Sequence, residues 1–210
     1  IASQLCEKYM CNQLGIENIG DGGWATNGWA KAKKEWESVK SSWKESLQGD
    51  VDFGKDYDAN VKRAHDTIVQ FGGNDLIDTN IEQYSSLDLF VRHYNSLIKK
   101  AINEKLQVVL CTPLARPYYH EGRWIDRLGG YDDAVRRLAK LYHLPLLDLE
   151  EQTRDWWMSM SEVEASIYYI DSVENETFLL TEDGAKKVAE MAANMMRNQK
   201  DSKIKKLIKK

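Results

Sequence analysis

The residues best equipped for chemistry stand in one stretch, Thr67-Ile-Val-Gln-Phe-Gly-Gly-Asn-Asp75. Its β-branched and aromatic run, Thr67 to Phe71, predicts a buried strand, and two glycines break that strand just before an Asn-Asp pair. Open α/β sheets bind their ligands in the turns at the carboxyl ends of parallel strands. Asn74 could there aim an amide N–H at a reacting oxygen, and Gly72 and Gly73 let a substrate approach the backbone. A second glycine cluster, Gly20-Asp-Gly-Gly23, follows a short apolar segment at 16–19, so two glycine-rich turns are expected at one edge of the sheet. Neither cluster has the spacing of a phosphate loop or a dinucleotide-binding turn, which disfavours a doubly wound nucleotide binder.

The elements that must position these turns alternate between strand and helix along the chain. Apolar residues at three- and four-residue steps predict helices at 1–14 and 28–48, the second carrying Trp29, Trp36 and Trp43 near one stripe. A tryptophan stripe at that spacing reads as core more readily than as a sugar platform. Further helices are predicted at 84–105, 131–142, in part of 150–170, and from an N-cap at Thr181 to about Asn198. Strands are expected at 16–19, 67–71, Gln107 to Cys111 and Leu144 to Leu149. Between them lies a long loop, 114–129, rich in Arg, Tyr and Trp. Such alternation predicts a parallel sheet covered on both faces.

Composition narrows the class. The 210 residues suffice for one α/β domain, placed at 1–198, with a Lys-rich tail at 199–210 that reads as a frayed, solvated end. A formal net charge of −4 argues against a general nucleic-acid binder, and no apolar run is long enough for a membrane span. Cysteines 6 and 11 are too awkwardly spaced on a helix to bridge, so free thiols are expected, Cys111 included.

Five stretches carry a resemblance. Asn18-Ile-Gly-Asp-Gly-Gly23 resembles the second block of the SGNH (GDSL-type) hydrolases, and Gly72-Gly-Asn-Asp75 their Gly-x-Asn-Asp block. Cys111-Thr-Pro-Leu-Ala-Arg116 with the loop to Gly130, Ala139 to Asp148, and the final Thr181-Glu-Asp-Gly-Ala run are most similar to the rhamnogalacturonan acetylesterase branch. The resemblance implies a three-layer α/β/α sandwich, flavodoxin-like, around a five-stranded parallel sheet. It also implies removal of acetyl esters from an acetylated oligo- or polysaccharide of plant type, without metal or organic cofactor. In that family a serine attacks the acetyl carbonyl, a histidine takes its proton, and an aspartate three residues earlier orients the histidine. Gly23 and Asn74 match the oxyanion-hole glycine and asparagine. Asp75, Arg116, His120, Arg123 and Trp124 are the candidate substrate-binding residues.

The chain departs from the pattern twice. The Gly-Asp-Ser block belongs on a strand before the first helix, and the given residues start in that helix. The block, with the first, central strand of the sheet, is therefore expected upstream in a longer chain, and Ser3 reads as a helix surface residue. Counting back from Gly184-Ala185 puts Glu176 at the aspartate position and Leu179 at the histidine position, where a leucine cannot accept a proton. Among His65, His93, His120 and His143 only His120 stands where a substitute base is conceivable, and a plain exposed loop histidine is the simpler reading. Two expectations follow: a carbohydrate O-acetylesterase with an incomplete catalytic set, or a pseudoenzyme of the same fold that binds glycan or a partner. Family members are commonly secreted, yet no export signal is legible, so the compartment stays open.

Overall fold

The computed structural model describes residues 66–70, 72, 73, 75–77, 84–103, 105–172, 177–200 and 202–208. The helices expected at 1–14 and 28–48 and the strand at 16–19 lie outside them. Three parallel strands form the described sheet, in the order β1 (Asp66–Gln70), β2 (Gln107–Cys111), β5 (Leu146–Leu147). The strand expected at 67–71 begins one residue earlier, at Asp66. The third shrinks from six residues to two, because Pro145 has no N–H for a ladder and Asp148 already caps the next helix.

Strand β2 explains the layers. Its side chains alternate, yet both sets are buried, so the run Val-Val-Leu-Cys is apolar throughout. Val108 and Leu110 pack with Val69 against α1 (Leu87–Asn103) and α2 (Tyr131–Tyr142). Val109 and Cys111 pack with Leu147 against the opposite helices, mainly α5 (Glu182–Asn198). The result is the expected α/β/α sandwich. Helix α1 buries Phe90, Tyr94, Leu97, Ile98 and Ala101, the spacing of one helical face.

Two antiparallel hairpins interrupt this alternation. Strands β3 (Tyr119–His120) and β4 (Arg123–Trp124) close over Glu121 and Gly122, both at positive φ, as a two-residue primed turn requires. Strands β6 (Tyr169–Ser172) and β7 (Thr177–Leu180) precede α5. Between β5 and β6 lie α3 (Leu149–Met158) and the single turn α4 (Glu162–Ala165), the latter with a Ser161/Glu164 capping box. Thr181 is the N-cap of α5, accepting from the Gly184 N–H at 3.2 Å. Gly184 itself lies against the hairpin: a Cβ there would stand 2.1 Å from the Tyr168 carbonyl oxygen.

The Lys-rich end departs from expectation. Residues Ser202–Lys206 form α6, and Ile204, Leu207 and Ile208 are buried in the core beside α5. The frayed, solvated end is therefore corrected over 202–208. Its three apolar residues recur at helical spacing and share one inward face, while Lys205 and Lys206 stay in water.

One ionic cluster fastens the carboxyl edge of the sheet. Arg136 on α2 grips Asp148 with two bonds of 2.8 and 2.9 Å, and also meets Asp132, Asp133 and Glu150. Thr112, just past β2, donates to Asp148 at 3.3 Å and accepts the Glu150 N–H at 2.8 Å. Desolvation holds the buried Glu150 carboxyl above its ordinary value, against the pull of Arg136. The fold thus favours neutral Glu150, a contribution present at low pH and lost as pH rises through the raised value.

Three outcomes are expected. Gly184→Ala should lower stability by about 2 kcal/mol or more, because a backbone oxygen cannot swing away; an unchanged urea midpoint would refute this contact. Ile204→Ala should cost about 2–5 kcal/mol, whereas a solvated end would lose nothing. Arg136→Met should cost about 3–5 kcal/mol by stranding buried carboxylates. That loss should deepen as pH rises and Glu150 ionises, and a loss independent of pH would contradict the assignment.

Candidate active site

The site is built on the carboxyl edge where β1 and β2 end level with each other, Gln70 opposite Cys111. Past β1 the chain turns through Gly72, buried and at φ +111°. Two things demand glycine: that left-handed backbone, and the Pro113 Cγ that would lie 3.2 Å from a Cβ. Asp75 is fully buried, and its carboxylate accepts the Gly72 N–H at 3.2 Å. Its carbonyl takes the Ser85 N–H at 3.0 Å, and Tyr131 donates to the Ser85 carbonyl at 2.5 Å. In the structure the Asp75 carboxylate thus builds the turn. Asn74, Gly23 and Glu176 lie outside the described residues.

The loop leaving β2 is locked to this turn. Arg116 donates through Nη2 to the Gly73 carbonyl. The Arg116 main chain is itself clamped. Thr153 Oγ1 accepts the Ala115 N–H at 2.9 Å, Trp157 Nε1 donates to the Ala115 carbonyl at 2.9 Å, and Trp124 Nε1 donates to the Arg116 carbonyl at 2.8 Å. Thr153 and Trp157 are four apart on α3 and so share its inner face. That i, i+4 spacing was the available signal for two residues missed in the sequence, although the Trp156-Trp157 pair stands out there.

Trp157 is wholly buried and centres a small aromatic core. Trp156 stacks on it at 4.1 Å, with Tyr169 and Phe178 of the second hairpin edge-on at 6.2 and 6.5 Å. Tyr119 donates to the Trp157 carbonyl at 2.7 Å, and its phenol is pushed up to about 12, first by burial and then by nearby Tyr169 and Glu162. Both hairpins and the Arg116 loop therefore lean on one side chain.

Trp124 is half-buried with its N–H engaged, while His120 and Arg123 pair across the first hairpin and are exposed. Leu179 sits on β7 opposite Ile170, 55% exposed, on the face away from Phe178 and Trp157. An aliphatic side chain in that place moves no proton. Cys111 is a free thiol pushed up to about 12 by burial, hence neutral and no nucleophile. Among the described residues no set of three or more His, Cys, Asp or Glu could hold a metal ion, and no helix is long and apolar enough to cross a membrane. A groove of about 550 Å³ near Gln152, Asn194 and Met195 contains none of the predicted site residues.

No family model matches the chain. Rhamnogalacturonan acetylesterase RhgT of Bacillus subtilis is 28% identical over 139 residues, 60% of this chain and 58% of its own length. The probable rhamnogalacturonan acetylesterase YesY of the same organism is 25% identical over 128 residues, 60% of this chain and 59% of its own. The chain thus spans under two thirds of the curated relatives it matches. Among solved structures, that of Bacillus subtilis YxiM superposes with a TM-score of 0.53 at 22% identity, over 65% of this chain and 38% of that one. The described parallel sheet and these likenesses agree: over part of its length the chain is similar to rhamnogalacturonan acetylesterases, and its α/β fold superposes on that of YxiM.

Proposed function

We propose that the protein removes O-acetyl groups from a pectic or other plant-type polysaccharide by serine acyl transfer. The observation that carries this reading is the turn at the carboxyl end of β1, with Gly72 buried at φ +111° and Gly73 following it, immediately before Asn74. A serine hydroxyl adds to the acetyl carbonyl, the sugar oxygen leaves with a proton, and water then frees acetate from the acyl-serine. In this reading the Gly23 N–H and the Asn74 amide are the donors to the oxygen that gains charge. The similarity to RhgT, over a stretch amounting to 60% of the chain, supports the acetyl-ester chemistry. Glu176 and Leu179 occupy the positions of the orienting acid and the base. The solvent-facing Leu179 favours a second reading, a catalytically inactive protein of the same fold that binds glycan through the exposed Arg123 and its neighbours.

The full-length protein should hydrolyse 4-nitrophenyl acetate and release acetate from acetylated pectin. Asn74→Ala should lower kcat by about 10²–10³-fold, the usual loss for one oxyanion donor. Absence of turnover, together with pectin binding that weakens in Arg123→Ala, would replace the esterase with the binding protein.

A further inference from the structure

A Gly-Gly turn has more backbone freedom than any other pair of residues, so a turn that must present one geometry needs restraint from outside. The Asp75 carboxylate holds the Gly72 N–H from within the turn, and Arg116 adds a contact from the neighbouring loop. The Gly73 carbonyl accepts from Arg116, and a carbonyl lies in one rigid plane with the following N–H, so the guanidinium orients the peptide on which residue 74 is mounted. Arg116 is a fixed base for that reach because its own carbonyl takes the Trp124 indole N–H and the preceding carbonyl takes the Trp157 indole N–H. Trp124 is a strand residue of the β3–β4 hairpin, in register with Tyr119, and the hairpin's exposed end pairs His120 with Arg123.

We propose that Arg116 is a positioning residue for the Gly72–Gly73 turn, and that the β3–β4 hairpin sets the turn through Trp124 and Arg116. The catalytic consequence rests on the acetylesterase reading; the mechanical coupling does not. Material seated against His120 and Arg123 shifts the strand that carries Trp124, and the shift reaches the turn through two hydrogen bonds. A guanidinium suits this task better than an ammonium, because its planar fork holds one orientation while a lysine is a flexible point charge.

The test is amide hydrogen exchange of the full-length protein, comparing peptides over 72–77 with peptides over α5, alongside 4-nitrophenyl acetate kinetics. Arg116→Ala and Trp124→Phe, the latter keeping a ring but no N–H, should speed exchange at 72–77 about tenfold and leave α5 unchanged. Both should lower kcat with KM held, and Arg116→Lys should recover little of either. Unchanged exchange at 72–77 or equal acceleration in α5 would overturn the coupling, and faster exchange with kcat intact would overturn its catalytic consequence. If the wild-type protein does not turn over, the acetylesterase reading falls, and the exchange contrast alone decides the coupling.

Discussion

The constraint on which the described structure depends is the register of one parallel ladder. Five residue pairs, Asp66 with Gln107 through Gln70 with Cys111, bring two strand ends to the same height. Gly72 and Pro113 then emerge side by side, close enough that a methyl group between them would be crowded. Gln70 seals the junction by donating across it to the Thr112 carbonyl at 3.1 Å. Slipping the ladder by one residue would turn every side chain of β1 to the other face and carry the glycine turn away from the Arg116 loop.

Two polar frames then hold that edge, and they differ in kind. The Arg136 cluster gathers four carboxylates around one guanidinium, with Arg154 reaching Glu150 from α3 at 3.1 Å. Partly buried charges of this sort add little net stability, since desolvation offsets most of the attraction, but they punish any other arrangement. The Trp124–Arg116–Trp157 frame is built from neutral indole N–H donors that cost less to bury, and it sits on an aromatic core large enough to hold both hairpins. The first frame fixes helices against strands. The second fixes a loop against a turn.

The described part of this corner is internally satisfied: the buried Asp75 carboxylate takes the Gly72 N–H, and the Arg116 guanidinium meets the Gly73 carbonyl. Leu179 projects into solvent on a strand whose neighbours Phe178 and Leu180 pack inward. Alternation along a β-strand dictates that outward direction, so the leucine sits at no cost to the core.

Much of the architecture was legible without coordinates. The apolar run of β2, the helical spacing of α1 and α2, the Thr181 cap and the glycine break after β1 are local patterns, and each is decided by the residue's own stereochemistry or by neighbours within a turn or two. The branch of esterases it resembles was likewise legible in short ordered blocks. What only the tertiary structure decided is which polar groups meet. Arg116 offered itself as a sugar clamp and instead reaches Gly73, 43 positions away. Asp75 serves its own turn, the last lysines flank a buried apolar face, and Trp157 joins two hairpins no periodicity announced. Such pairings are set by the three-dimensional path of the backbone, because a hydrogen bond depends on distance and angle in space and leaves no fixed spacing along the chain.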